Sequence, residues 1–344
     1  MEKLVKLLVT GNLGYVGTVL TAHLDGHPGI SDIIGYDNGY FRNNAPGPVH
    51  VSPNLTQVTG DVRSFDADLL KGVDCVISLA AVSNDPAGER FRLATEDINF
   101  RATMDLARRA KEQNVARFIF ASSCSVYGDS GQTVVDETSP VHPLTTYAQS
   151  KLDCETALEE LSNENFSVVC LRFATACGVS PRFRLDLVLN DFVYHACRFG
   201  RIDILSDGTP LRPFIHVRDM ATAFEWAVFK DPAPYTLVNA GSNELNLSVR
   251  DLAEEVAKRT GDVLVTLNSK AVHDSRSYRV DFSRYAAMAG TYAPRHDIGA
   301  IVRELAGFVR HASFGKEGFH RLMHLEKLVK EGFLNEKLEW IRHD

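Results

Sequence analysis

The strongest constraint on the fold of this chain is an alternation that runs through its first two-thirds: short apolar or β-branched runs separated by longer amphipathic stretches. Leu4 to Val9, Asp32 to Tyr36, Leu55 to Thr59, Cys75 to Leu79, Arg117 to Ala121 and Ser167 to Leu171 each suit a strand buried on both faces. Helical periodicity falls between them, at Tyr15 to Leu24, Ala94 to Gln113 and Tyr147 to Leu161. Repeated βαβ units of this kind predict an α/β fold built on a doubly wound parallel sheet. After Arg172 the pattern changes to a loop and helix, a short strand, the turn DGTPLRP and a strand-helix pair from Phe214 to Phe229. At 344 residues the chain exceeds the size at which one core keeps growing. The expectation is a larger domain over residues 1–175 with a return segment near 214–242, and a smaller interleaved α/β domain with C-terminal helices over 176–344.

A formal charge of -7 supplies no footprint for DNA or RNA, so nucleic acid is not an expected partner. The cysteines at 75, 124, 154, 170, 177 and 197 lack CxxC spacing and sit mostly in apolar runs, which reads as reduced thiols and no metal site. No apolar run is long enough to cross a bilayer, and the first residues lack a signal-peptide pattern. No membrane partner and a cytoplasmic location are expected.

The sequence TGNLGYVG places Gly11, Gly14 and Gly17 between the first strand and the first helix. Glycines there let the backbone turn tightly and let a pyrophosphate approach a helix N-terminus, whose dipole and free N–H groups favour an anion. Asp37 ends the second strand about 20 residues beyond the last glycine, where a carboxylate can accept hydrogen bonds from an adenosine ribose. The same charge would repel a 2′-phosphate, which favours NAD over NADP. Asp61, in TGDVR, is a second acid near this edge and also a natural helix cap.

Tyr147 and Lys151, in TYAQSKL, lie four residues apart at the start of a helix and share one face. A tyrosine with an ordinary pKa near 10 is a poor base at neutral pH. A neighbouring ammonium, with the positive charge of an oxidised nicotinamide, stabilises the phenolate and makes the pair a general base. The strand ending in RFIFASSCSVYGD puts Ser122 and Ser123 at its carboxyl end, where open α/β sheets hold their ligands.

Taken in order, GxxGxxG, the strand-end Asp37, GDV, SLAA, SSCSVYG, YxxxK and RPFIHVRD resemble the extended short-chain dehydrogenase/reductases over residues 4–305. Within them the chain looks most like the NAD-dependent nucleotide-sugar epimerase and dehydratase group, of which UDP-galactose 4-epimerase is the archetype. The resemblance implies a Rossmann-type sheet, with Ser123, Tyr147 and Lys151 as the catalytic set. It implies a cofactor site of Gly11, Asn12, Gly14, Tyr15, Val16, Gly17, Asp37, Asn38, Asp61, Val62, Leu79, Ala80, Ala81, Asn99, Ser122 and Phe173, shared with Tyr147 and Lys151. Tyr127 becomes a second tyrosine near the sugar. The dehydratases carry an Asp-Glu pair immediately after the catalytic serine or threonine, whereas Cys124 and Ser125 occupy those slots here. Ala174 stands where galactose epimerases present an asparagine.

A nucleoside diphosphate needs cations and amide donors at its phosphates. By the same resemblance Arg212 and either Arg276 or Arg279 contact the diphosphate, Asn190 and Arg182 lie near that groove, and Ser83, Asn84 and Asp85 face the sugar. The leading expectation is an epimerase of a nucleoside-diphosphate sugar acting through a keto intermediate on bound NAD. The alternatives are a nucleotide-sugar 4-ketoreductase, dehydrogenase or dehydratase, and a non-catalytic NAD sensor. The resemblance also implies a homodimer joined through the helices Asn99 to Arg109 and Tyr147 to Leu161.

Overall fold

Seven strands form the central sheet: β1 (Val5–Thr10), β2 (Ile30–Asp37), β3 (Leu55–Thr59), β4 (Cys75–Ser78), β5 (Arg117–Ser123), β6 (Ser167–Phe173) and β7 (Tyr235–Ala240). The computed structural model describes residues 4–46, 54–130, 133–231, 233–267, 277–314 and 319–342. The strand order is β7-β6-β5-β4-β1-β2-β3, and all six pairings are parallel. The first six strands are those expected from the apolar runs, within a few residues. β7 lies in the return segment and joins the sheet beside β6, with Ala240 opposite Phe173.

Alternation along β1 shows why the sheet is covered on both faces. Leu7 and Val9 enter one apolar cluster with the helices Tyr15–Leu24 and Val217–Phe229, while Leu8 enters another with Ala107, Leu158 and Phe166. β1 sits between β4 and β2, so the chain leaves its carboxyl end in opposite directions on either side. That reversal opens the crevice in which such sheets bind ligands. Thr10 is opposite both Tyr36 and Ser78, and Ser123 is opposite Phe173, so the strand ends reach the crevice together.

The expected helix Ala94 to Gln113 is not uniform. It begins as Arg92–Thr95, widens into π-helix over Glu96–Ala102 and returns to α-helix over Thr103–Glu112. Asn99 lies in the widened turn and is buried.

Beyond β6, Thr175–Cys177 pairs with Leu211–His216, which pairs in turn with Asn246–Ser248. Phe183, Phe192, Phe214, Leu252 and Leu305 form a separate core under this smaller layer. The C-terminal segment does not stay with that layer. Leu325, Leu328, Leu334 and Leu338 insert into the cluster that holds Leu8 and Phe118. Their spacing covers an apolar edge of the first domain, so the tail packs where the chain began.

Candidate active site

A cleft of about 550 Å³ runs across the carboxyl ends of β1, β2, β4, β5 and β6. Its floor is the glycine turn. Gly11 holds a φ of +73°, and a Cβ there would lie 2.7 Å from the Ala80 backbone nitrogen. A Cβ on Gly17 would lie 2.4 Å from the Gly11 carbonyl oxygen. The turn is therefore packed too closely for side chains, which leaves its surface open to a ligand. The helix Tyr15–Leu24 that follows has Gly14 as its N-cap and no side-chain cap, so its first amides face the cleft without a competing side-chain acceptor.

Asp37 lies beside that turn. Its carboxylate accepts from the Gly39 amide at 2.7 Å and from the Leu13 amide at 3.2 Å. Burial raises its pKa, opposed by those amides and by Arg182 and Arg321. Asn38, Val62, Leu79, Ala80, Ala81, Tyr15, Val16 and Phe173 also line the cleft. A glycine cradle, an open helix N-terminus and a strand-end carboxylate form one continuous surface, and this donor set fits a dinucleotide with a free ribose 2′-hydroxyl.

Farther along, Ser123, Tyr147 and Lys151 converge. Thr145 starts the helix Thr146–Leu161 by accepting from the Ala148 amide at 3.1 Å, which fixes Tyr147 in its first turn at the cleft. Ser123 closes β5, where its hydroxyl accepts from the Ser125 amide at 3.2 Å, and it lines the cleft together with Tyr147. Lys151 is only 4% exposed, with its Nζ 4.6 Å from the Phe120 ring centre and 5.6 Å from that of Tyr147. Burial brings the Lys151 ammonium down to about 8. Burial and then Asp85 push the Tyr147 phenol up to about 12, against the lowering effects of Ser123 and Arg184. Burial holds both groups toward their neutral forms, so a phenolate at Tyr147 calls for added positive charge in the cleft.

On the opposite wall Ser83, Asn84, Ser125 and Arg212 line the cleft. Arg212 stacks 5.5 Å from the Tyr278 ring centre. Three side chains that the sequence reading did not single out join them: Thr145, Arg184 and Asp186. Arg184 pairs with Asp186 at 2.6 Å and donates to the Ser83 hydroxyl at 3.3 Å, while Asn84 donates to Asp186 at 2.6 Å. Despite burial, Arg184 holds the Asp186 carboxyl down to about 2. The Ser125 hydroxyl oxygen is buried without a hydrogen-bond partner.

Other expected site residues lie behind the lining. Asn12 is turned onto Gln57, to whose Oε1 it donates at 2.7 Å. Asp61 caps a short 3-10 turn and pairs with Arg63 at 2.5 Å. Asn99 holds the Val82 backbone through its amide, accepting at 2.8 Å and donating at 3.1 Å. Asn190 accepts from the Gly178 amide and donates to the Arg184 carbonyl, so it shapes the loop that carries Arg184. Ser122 keeps its place in the lining, but its hydroxyl donates to Glu155 below the cleft.

Tyr127 and Cys124 depart furthest from expectation. Residues 124–127 close into a 3-10 turn that buries both side chains in the core. The Tyr127 hydroxyl accepts from Arg172 at 3.0 Å and lies 2.8 Å from both the Asp136 carbonyl and Asn239 Oδ1. It belongs to the buried Glu155–Arg172 ion pair and not to the sugar side of the cleft. The Cys124 thiol donates to the Arg172 carbonyl, and burial pushes it well above the usual thiol range. Arg182 donates to the Leu13 carbonyl, and Arg279 is exposed on a short edge strand. Arg276 lies outside the described residues.

The fold and cleft define a dinucleotide-binding α/β protein with a Ser-Tyr-Lys centre. The family model described as NAD dependent epimerase/dehydratase family matches residues 7–241, and the chain belongs to that family. Its cofactor is NAD. Among curated relatives, the chain is 28% identical over 277 residues to UDP-glucose 4-epimerase of Streptomyces lividans, covering 74% of this chain and 81% of that protein. It is 29% identical over 266 residues to an uncharacterised UDP-glucose epimerase, YtcB, of Bacillus subtilis, covering 74% of this chain and 83% of that protein. The solved structure of MoeE5 in complex with UDP-glucuronic acid and NAD superposes with a TM-score of 0.77 at 27% identity, over 89% of this chain and 99% of that one. Among the described residues no helix is long and apolar enough to cross a membrane.

Proposed function

We propose that the chain epimerises a nucleoside-diphosphate sugar and keeps NAD bound through the cycle. The observation that carries the reading is the meeting of Ser123, Tyr147 and Lys151 at one end of the cleft whose other end is the glycine cradle. NAD supplies the hydride acceptor and donor, and its oxidised ring adds a positive charge that favours the Tyr147 phenolate. Tyr147 takes the proton of a sugar hydroxyl as the carbon bearing it is oxidised to a ketone. Ser123 shares that proton, and Lys151 lowers the cost of the phenolate. When the planar ketone presents its other face and is reduced, Tyr147 returns the proton, and no net oxidation remains.

Two features support epimerisation over loss of water. Cys124 occupies one of the acid-base slots that dehydratases of this type use, and its thiol is buried, raised in pKa and committed to a backbone carbonyl. Ser125, in the other slot, presents a hydroxyl without a partner, suited to binding a sugar hydroxyl and not to removing a carbon-bound proton. Arg212, Arg184, Asn84 and Ser83 are proposed to hold the nucleoside diphosphate and sugar. The neighbouring helices Thr103–Glu112 and Thr146–Leu161 are proposed as the dimer surface, which a light-scattering mass of twice the chain supports and a single-chain mass rejects.

Denaturing the purified protein and identifying what it releases by mass spectrometry tests the reading. NAD near one per chain supports a retained cofactor. Release of none, with stoichiometric use of added cofactor on a sugar nucleotide, replaces the epimerase with a one-way reductase or dehydrogenase.

A further inference from the structure

The family match stops at residue 241, yet residues 319–342 reach the cofactor cleft. The helix Arg321–Lys330 begins there, with Arg321 and Leu325 in the lining. The segment after it is fastened to the loop that follows Asp37. Trp340 Nε1 donates to the Asn38 carbonyl at 2.9 Å, the Tyr40 hydroxyl donates to the Leu338 carbonyl, and a His324 ring nitrogen lies 2.8 Å from the Tyr40 carbonyl. Arg63 adds bonds to the Lys337 and Leu338 carbonyls at 2.6 and 2.8 Å.

Arg321 is 5% exposed, its guanidinium 3.9 Å from the Phe41 ring centre. One terminal nitrogen, Nη2, donates to the Arg182 carbonyl at 3.2 Å, whereas Nη1 is buried and has no hydrogen-bond partner. A buried donor left unmet is costly, the more so on a charged group. The surrounding charges are unbalanced in the same sense. Arg182 and Arg184 repel Arg321, while the attracting carboxylates, Asp186 and Asp37, are already bonded, Asp186 to Arg184 and Asn84 and Asp37 to two amides. Burial, with that repulsion, brings Arg321 down to about 9. The unmet donor requires an acceptor, and the surrounding positive charge favours an anionic one. Arg182 reaches the Leu13 carbonyl of the glycine turn, so the excess positive charge lies beside the uncapped helix N-terminus that already favours a phosphate.

We infer that Arg321 is a cofactor-anchoring residue whose Nη1 donates to the pyrophosphate of the dinucleotide, so that the C-terminal segment clamps the cofactor that the glycine turn cradles. The inference rests on the cleft being the NAD site and extends the proposal of a cofactor that is not exchanged. A clamp tied to the Asp37 loop at Tyr40 and Asn38 must loosen before NAD leaves.

The test is equilibrium binding of ADP-ribose and of adenosine to cofactor-stripped, full-length protein, for wild type, Arg321→Ala and Arg321→Lys, with circular dichroism and melting curves as fold controls. Arg321→Ala is expected to weaken ADP-ribose by about 10- to 100-fold, the worth of a charge-assisted hydrogen bond, and to leave adenosine unchanged. Arg321→Lys keeps the charge without the planar fork, so it recovers part of the loss. Should the alanine variant fold poorly, the lysine variant carries the test through a smaller loss confined to ADP-ribose. Equal losses for both ligands, or no loss for ADP-ribose, overturn the clamp. A wild-type protein that binds neither ligand overturns the NAD reading of the cleft itself, a result distinct from either.

Discussion

The two walls of the cleft are built differently. On the cofactor side most ligand-facing groups are main chain and strand ends, the Gly11–Gly17 turn, the amides of the following helix and Asp37 closing β2, to which the inferred Arg321 clamp is added. On the proposed substrate side they are side chains that hold one another, with Arg184, Asp186, Asn84 and Ser83 linked in a single partly buried network. A wall made of backbone reads an invariant ligand and is fixed once the sheet forms. A wall made of interlocked side chains can be retuned for a different sugar by a few substitutions without disturbing the sheet. The proposed catalytic set lies where the two meet.

The sharpest way to break this picture is at the junction. Tyr147→Phe is expected to lower kcat by about 10²- to 10⁴-fold, the usual worth of a positioned acid-base group, with melting temperature and ADP-ribose affinity unchanged. Activity within a few-fold of wild type removes Tyr147 as the base. Lys151 gives the next largest effect, with opposite signs for activity and stability. Its ammonium is held at about 8 in the folded chain against an ordinary 10.5, which costs folding about 3 kcal/mol at pH 7. The folded state binds fewer protons between those values, so the cost is complete below pH 8 and fades as pH rises through 10.5. Lys151→Met should therefore stabilise the cofactor-free protein at pH 7, lose turnover, and show a stability gap over wild type that closes in that window. Denaturant titrations across pH measure it, and a gap independent of pH contradicts the assignment.

Gly17→Ala sets a methyl against the Gly11 carbonyl oxygen, with an expected loss of about 1–3 kcal/mol of stability and of retained NAD in mass spectra of the purified protein. Normal NAD content in that variant would show that the turn is not the cradle. Asp37→Asn should weaken NAD by about tenfold, the scale of one hydrogen bond to a charged group, and narrow the preference over NADP by removing a negative charge; unchanged selectivity in titrations argues that Asp37 only shapes its loop. The smallest effect is expected across the cleft. Ser125→Ala removes a hydroxyl that has no partner in the protein, so stability should hold while kcat/KM falls by about fivefold, the worth of a neutral hydrogen bond. A loss of ADP-ribose binding instead would place Ser125 on the cofactor side and blur the distinction between the walls.

The same distinction explains what was legible in the sequence. Gly11, Gly14, Gly17 and Asp37 follow from local backbone needs at strand ends, and Tyr147 and Lys151 from helical spacing, and it is their combination in chain order that marks them. Arg184, Asp186 and Arg321 do not. Arg184 and Asp186 lie on a loop that Asn190 braces at the Arg184 carbonyl, and Arg321 arrives from a tail that contacts residues nearly three hundred positions earlier, as His324 does at Tyr40. Tyr127 escapes a reading from sequence for the converse reason. The CSVY segment follows Ser123 in sequence, but its 3-10 turn sends Tyr127 inward to the Glu155–Arg172 pair and Cys124 to the Arg172 carbonyl. Asn99 and Asn190 belong to the site by shaping the backbone behind it. The N-cap pattern before Tyr147 offered one usable signal for a missed residue, Thr145.

The central claim is that the hydride taken from the sugar returns to the same carbon. The most direct test incubates the NAD-loaded protein with a panel of nucleoside-diphosphate sugars in deuterium oxide and follows sugar stereochemistry by NMR together with NADH absorbance. The account predicts that one sugar converts to its epimer with no deuterium at the inverted carbon and no net NADH. Solvent deuterium at that carbon, stoichiometric NADH, or a product lacking the elements of water would contradict it.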